Sequence, residues 1–575
     1  MQKNAGEGTL PGLGVAVDRR LIRHLATLPP TTCIFVALVI GLLTGLPTTC
    51  WSQSPSFAGG LDYGQITDTA ISEASGIVAS SNNPGVLWVH NDGSANRLFA
   101  IGSDGSPLAT YQFDGNPDDL EDIAIGPGPI AGIHYLYIGD IGDNVLDRKK
   151  IRIYRIPEPA VYPYFARNPI SEKLKLTEEL SMVYPDGSHN AEAIMVDPQN
   201  GDLFIATKDN GFCQIFQADH QAVFANLGDI PLTLVQEIPI DQVSGADISQ
   251  DGSEILIRNE SLALYWKRNP GESIPSALTR PATFVPTIGP PLEPNGEGIT
   301  FEPGGLGYFT ISEGVNPSLY FFERTTPPPS DSPSTLFLGG TLWSYLDDGS
   351  NPGFSWRSPT FDDQSWAVGM AQFGYGEQDE QTILRFGNDS DRKTITSYFR
   401  KTFQVPDASR IASLDLTVLY DDGIAVYLNG VEVLRSNLAP GAPSFEQATA
   451  SNSDFENIWT TRTIDSSSLQ NGQNLIAVEV HRRSRTEGDL SFDARLTARL
   501  KPVPLRFTEI AGVTDGNLQI RVEGPDGKNI QVQISPNLID WIRLHDLTLR
   551  NNSATFTESA AEGSTPQFFR LILEE

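Results

Sequence analysis

Between Ile77 and Ile299 the chain repeats one arrangement of apolar and polar positions five times. Each unit opens on a short run around an isoleucine: SGIVAS, EDIAIG, EAIMVD, ADISQD and EGITFE, at Ile77, Ile123, Ile194, Ile248 and Ile299. A second apolar run follows and stops in acids or amides, as LWVHND, LYIGDIGDN, LFIATKDN, ILIRNE and YFTISEG. The third runs are RLFAIG, KIRIYRIP, CQIFQA, LALYWK and SLYFFE. Fourth runs, LATYQF, LSMVYP, LTLVQEIPI and ATFVPT, stand in all but the last unit. These runs have strand length, are rich in branched and aromatic residues, and are separated by Gly, Asp, Asn and Pro; helical spacing is nearly absent.

Four-stranded units repeated in series predict a β-propeller, because each unit buries its faces only against its neighbours. The strand count predicts five blades. Upstream, LDYGQITD (Leu61 to Asp68) is placed to supply the fifth unit's missing strand and close the ring. Six blades is the alternative, since the 71 residues from Ile123 to Ile194 are long enough to hold a poorly marked unit.

In such a ring the first strand of each unit lines a central channel, and its start lies beside the end of the second strand. One channel mouth therefore collects the residues that precede the repeat isoleucines, among them Glu121, Asp122, Glu192, Asp247 and Glu297. It also collects those that end the second runs, among them Asp92, Asp140 and Asp143. Crowded carboxylates raise one another's pKa unless a cation intervenes, and six to eight hard oxygens suit Ca2+. These eight acids are the predicted metal ligands. The competing expectation is that Asp, Asn and Gly after a strand make turns, while acids before one hold backbone N–H groups. His90 ends a second run and His189 precedes Glu192 in SHNAEAIM, so both are candidates for general acid–base chemistry here, or for local hydrogen bonds. The motifs G-x-S-x-G and H-E-x-x-H and a phosphate-cradling glycine loop do not occur.

The E-x-I starts, with LWVHND and GDIGDN, resemble those of secreted bacterial β-propellers over about Ala58 to Arg324. More distantly this segment is similar to esterase-like phytase and gluconolactonase-type propellers. That resemblance implies channel acids that hold Ca2+ and the hydrolysis of a phosphoester or ester.

A Pro/Ser-rich linker, RTTPPPSDSPST, runs from Arg324 to Thr335. Beyond it come WSYLDDGSNPGFSWRSPTFDDQSW, YFRKTFQV, VLYDDGIAVYLNGVEV and NLIAVEVH, the last three alternating as strands with DDG and NG turns. In this order they resemble the galactose-binding-like jelly roll of the sugar-binding domain of family 2 glycoside hydrolases, over about Leu336 to Pro502. Trp343, Trp356 and Trp366 are candidates for stacking on sugar rings, or for the core of that sandwich. NLQIRVEG and NIQVQISP alternate again in a third segment, Leu505 to Glu575. Its SPNLIDWIRL and PQFFRLIL resemble short C-terminal β-modules of large exported bacterial proteins.

Composition narrows the function classes. Of 575 residues, 71 are Asp or Glu and 40 are Lys or Arg, for a formal charge of −31. Such a surface repels phosphates, which excludes a nucleic-acid partner. Arg19, Arg20 and Arg23 precede an apolar run from Cys33 to Leu46. That run is shorter than the ~20 residues of a membrane span, so residues 1–52 read as a cleavable export signal rather than an anchor. Cleavage removes four basic and two acidic residues and leaves Cys213 as the single cysteine, so no disulfide framework is expected. The expected plan is all-β: signal peptide 1–52, propeller 57–324, linker 325–335, jelly roll 336–502 and a small β-sandwich module 505–575. The expected role is an exported binding or scaffold protein that engages a glycan or protein ligand, with Ca2+ at the propeller channel and no membrane span in the mature chain. The alternative is a Ca2+-dependent hydrolase of a phosphoester or ester.

Overall fold

The structure is a computed structural model that describes residues 56–573, apart from 327–333, 378, 388, 450–456, 502, 513–516, 526–527, 537, 551 and 560–567. The expected export signal, 1–52, and most of the expected linker lie outside the described residues. What is described is all-β, as the alternation predicts: forty strands accompany two short helices, His220–Ala225 and Ile274–Leu278. No helix among the described residues is long and apolar enough to cross a membrane. Residues Ser54–Leu500 form one compact unit, and Lys501–Glu575 belong to another.

Strand β1 (Leu61–Gln65) is followed by β2 (Ala74–Ala79), β3 (Val86–Asn91), β4 (Arg97–Gly102) and β5 (Pro107–Gln112), the last four pairing in that order. Next, β6 (Leu120–Pro127), β7 (His134–Asp140) and β8 (Ile151–Pro157) start a second sheet. The chain then returns to the first sheet with β9 (Ile170–Lys173), parallel to β5, before β10 (Glu178–Val183) rejoins β8. A third sheet takes β11 (Ala191–Val196), β12 (Leu203–Thr207) and β13 (Cys213–Ala218). Its outer strand is β15 (Thr233–Ile238), which follows β14 (Ile230–Pro231) on the edge of β10. The fourth holds β16 (Val243–Ile248), β17 (Glu254–Asn259), β18 (Ala263–Lys267) and β19 (Thr283–Val285). The fifth consists of β20 (Gly296–Phe301), β21 (Gly307–Ser312) and β22 (Ser318–Glu323), completed by β1, which pairs antiparallel with β22. From β6 to β10 the chain thus supplies the second sheet and the edge strand β9 of the first, and no further sheet among the described residues.

Among the described residues no sheet closes on itself, but the inner strands do form a cycle. Strand β2 packs beside β6, β6 beside β11, β11 beside β16, β16 beside β20, and β20 beside β2. Strands β2, β11, β16 and β20 are buried at every position, which is why their sequences are apolar on both faces. Apolar cores lie between neighbouring sheets; Trp88, Leu98 and Tyr111 of the first meet Leu136, Ile138 and Tyr154 of the second.

Residues 334–500 build two six-stranded sheets around a core that includes Trp343, Phe399, Val426, Val478 and Phe492. Thr396–Val405 and Gly472–His481, the YFRKTFQV and NLIAVEVH runs, pair residue for residue. The NG signal makes a tight hairpin: Asn429 and Gly430 both take positive φ, 51° and 90°, the twist that joins Gly423–Leu428 to Val431–Ser436. This region is welded to the first. Leu419 and Trp459 complete the same core as Trp88 and Phe165, Pro159 bridges to Ile458, and the Trp459 indole donates to Asn83 Oδ1 at 3.2 Å. Burial of Trp459 by both regions couples them. In the C-terminal unit, two three-stranded sheets enclose Ile520, Val522, Ile530, Val532, Phe556 and Phe569.

Candidate metal centre

Every inner strand is bulged near its start: between Ala74 and Ile77, Leu120 and Asp122, Ala191 and Ala193, Val243 and Gly245, and Gly296 and Ile299. A bulge re-aims the side chain it carries. The five equivalent residues are Ser75, Glu121, Glu192, Ser244 and Glu297. Both serines tie their strand to the next one: Ser75 Oγ donates to the Glu121 carbonyl, and Ser244 Oγ to the Gly296 carbonyl at 2.9 Å. The glutamates put three buried carboxylates at the same level, 4, 6 and 7 % exposed for Glu121, Glu192 and Glu297. The bulges also correct the fourth repeat. Ser244-Gly245-Ala246 matches Ser75-Gly76-Ile77, so Ile248 lies two residues deeper than the other repeat isoleucines, and the shared Ser-Gly was the available signal.

Around Glu121 the acids converge. One oxygen each from Asp92, Asp119 and Glu121 lies within 4.8 Å of the others. Asp119, two residues before Glu121 in PDDLEDI, was not among the residues expected from the repeat, because only positions nearest the isoleucine were aligned. Burial, then the charge and hydrogen bond of Glu192, push Glu121 far above the usual carboxylate range. Burial and Asp119 lift Asp92 to about 6, and burial with Glu192 raises Asp119 as well. Glu192 takes the Lys208 ammonium at 3.3 Å and a hydrogen bond from Asn190 Nδ2 at 3.2 Å. Glu297 has one buried carboxylate oxygen without a hydrogen-bond partner, and burial, reinforced by Glu192 and Glu313 and opposed by Lys208, lifts it to about 8. Gly142 makes this approach possible: a Cβ there would collide with Glu121 Oε1 and Asp119 Oδ2.

The other expected ligands do different work. Asp122 accepts from Ile123 N and, at 3.0 Å, from Ile194 N on the next inner strand. Asp247 likewise accepts from Ile248 N, Thr300 Oγ1 and Phe301 N. These two carboxylates splice neighbouring inner strands. Asp140 is fully buried, holds Asp118 N and Asp119 N, and pairs with Arg148 at 2.9 Å and Arg152 at 2.8 Å. Asp143 accepts from Asp147 N and Arg148 N. Backbone donors hold both carboxylates, and for Asp140 two guanidinium groups do so as well. Asp140 nevertheless serves the site, because it fixes the backbone of Asp119.

Both histidines make local hydrogen bonds. His90 is fully buried, with Nδ1 on the Asn91 carbonyl at 2.9 Å and Nε2 crowded against Gly76. Its pKa is lowered by burial, which keeps it neutral. His189 binds Asp186 at 2.8 Å and packs on Tyr184 and Phe216. Trp343 and Trp356 are 1 and 0 % exposed and Trp366 only 8 %, edge-packed among Phe492, Tyr398 and Phe361. Core packing replaces the sugar-stacking expectation for all three.

No family model and no curated protein matches the chain. Among solved structures, it is similar to a β-glucuronidase of an uncultured Clostridium sp., at 13% identity over 43% of this chain and 44% of that one, with a TM-score of 0.21. A Bifidobacterium dentium β-glucuronidase complexed with coumarin-3-O-glucuronide matches at 12% identity over 44% of this chain and 43% of that one, TM-score 0.20. The Bacteroides uniformis β-glucuronidase matches at 14% over 41% and 27%, TM-score 0.20. The chain spans less than half the length of these enzymes, and at such TM-scores the likeness assigns neither fold nor activity.

Proposed function

We propose that residues 57–324 form a five-bladed β-propeller with a Ca2+ site at the mouth of its channel, in an exported protein that binds a glycan or protein ligand. The blade reading is supported by the cycle of β2, β6, β11, β16 and β20 and by β1 completing the last sheet. The observation that carries the cation is the approach of Asp92, Asp119 and Glu121 within 4.8 Å, backed by buried Glu192 and Glu297 with Lys208 as the nearby ammonium. Carboxylates held this high by burial and mutual repulsion are stabilised by a divalent cation. Three carboxylates fill part of a Ca2+ shell of six to eight oxygens, leaving positions for water or for hydroxyl or carboxylate oxygens of a ligand. Binding is favoured over hydrolysis because His90 is fully buried and His189 is held by Asp186.

Calorimetric titration of the whole secreted protein with Ca2+ tests this reading. Wild type is expected to bind and to gain about 2.7 kcal/mol of stability at a hundredfold excess over Kd. Asp119→Asn with Glu121→Gln is expected to lose both responses while folding normally in EDTA, since the introduced amide still donates a hydrogen bond as protonated Glu121 does. No heat and no thermal shift in wild type would dispose of the cation. Gly142→Ala, whose Cβ must part the two carboxylates, is expected to weaken Ca2+ binding about tenfold, read in the same titration.

A further inference from the structure

A cavity of about 340 Å³ opens where the two welded regions meet, and none of its lining belongs to the acidic mouth. One wall comes from β9 and the residues after it, including Ile170, Glu172 and Leu174; the facing wall carries Asp379 and Ile458. Its geometry is held from several sides. Ala160 N donates to the Asn457 carbonyl at 2.8 Å, Pro159 bridges to Ile458, and the Tyr164 hydroxyl donates to the Asp379 carbonyl at 2.8 Å. Glu377, also in the lining, accepts from Asn457 Nδ2 at 3.0 Å and Ser491 Oγ at 2.7 Å.

Asp379 is the anomaly. Its residue is only 8 % exposed, and its Oδ1 is buried with no hydrogen-bond partner. A buried carboxylate oxygen without a donor costs free energy. Burial first, then the charges of Glu377, Glu380 and Glu172, lift its carboxyl to about 8. Of the two lysines in the lining, Lys173 has its ammonium on Asp114 at 2.6 Å, and Lys175 acts on Glu172. A volume of this size falls in the range of small-ligand sites, and branched aliphatic walls with a few acids at one place suit a chain that is apolar along its length and cationic at its end.

We infer that this cavity binds a primary ammonium carried on an alkyl stem, with Asp379 and Glu172 receiving the ammonium and Ile170, Leu174 and Ile458 covering the stem. Two sources share that chemistry, a free alkyl diamine and a lysine side chain of a polypeptide. Titration of the whole protein in EDTA with 1,5-diaminopentane and with Nα-acetyl-lysine methylamide separates them. EDTA also keeps the result independent of Ca2+ at the mouth. Saturable binding of either amine is expected, and which one binds more tightly names the source. The uncharged 1,5-pentanediol is expected to bind at least tenfold more weakly. Asp379→Asn is expected to reduce amine affinity at least tenfold, and the exposed Glu172→Gln about threefold, the latter covering the case in which the buried substitution disturbs folding. Diol and diamine of equal affinity, or unchanged amine affinity in both variants, would overturn the assignment.

Discussion

Replacing Arg495 by alanine is expected to cost about 3–5 kcal/mol and to split the unfolding of residues 54–500 into two steps. Arg495 reaches across from the second region into the loop between β2 and β3. Its guanidinium donates to the Asn82 carbonyl, to Asn82 Oδ1 at 2.7 Å and to the Ser81 carbonyl at 3.3 Å. It is also the cation whose field acts on Glu158, a fully buried carboxylate that accepts from Ser80 Oγ and from the Trp88 indole at 3.0 Å. Removing it leaves two backbone carbonyls and Asn82 Oδ1 without their donor and takes the nearby cation from a buried carboxyl. Replacing both partners is a different case. Arg495→Met with Glu158→Gln leaves no buried charge uncompensated, and is expected to recover part of the loss, since the loop acceptors still lack a donor. Denaturant unfolding with two probes, one for each region, reads both effects. An alanine variant within ~1 kcal/mol of wild type, or a double variant no better than the single one, would refute the argument.

In EDTA the melting temperature is expected to fall as pH rises from about 6.5 to about 8.5. Burial, with added like charge, lifts Glu297 and Asp379 to about 8, and burial lifts Asp247 and Asp493 to about 7. In an unfolded chain the same carboxyls lose their protons near pH 4. Across the window the folded chain therefore holds more protons than the unfolded one. Stability from a raised carboxyl is complete below its unfolded pKa and is lost as pH rises through its folded pKa, at about 1.4 kcal/mol per pH unit for each extra proton. Two histidines act with the opposite sign. Burial lowers His90, and burial with the Arg495 charge lowers His134 to about 4. Their contribution is present above about pH 6.5 and is lost as pH falls below it, so they are silent in this window. Scanning calorimetry at pH 6.5, 7.5 and 8.5 (about one unit apart by design) decides the matter. A melting temperature that holds or climbs would contradict the protonated carboxyls.

Much of the fold was legible because strand alternation and turn chemistry are local signals. The third run of each repeat is a strand in the sheet, and even LDYGQITD lies where its isolated position suggested, on the edge of the fifth sheet. The NG hairpin needed nothing beyond two residues that accept positive φ. Register was less legible. An isoleucine marks the core side in four repeats, but the fourth carries alanine there, and only its Ser-Gly bulge reveals the frame. The eight acids looked alike in sequence and diverged in the fold. Asp140 was claimed by arginines eight and twelve residues further on, and Asp122 by an amide on the next sheet. Glu121 met Asp92, Asp119 and Glu192 instead.

By itself, then, the sequence determined the elements and their repetition, because hydrophobic period and turn residues act over a few positions. It also determined the face on which acid accumulates, because a repeated strand start puts equivalent residues at one level. Tertiary structure alone decided which acids remain without a positive partner, since that depends on donors brought in from other strands. It decided equally that the two large β regions share a core, through contacts such as Trp459 with Asn83, 376 residues apart. Pairings over such distances leave no periodic trace in the chain, because each residue needs only to be apolar or polar locally for its own strand to form.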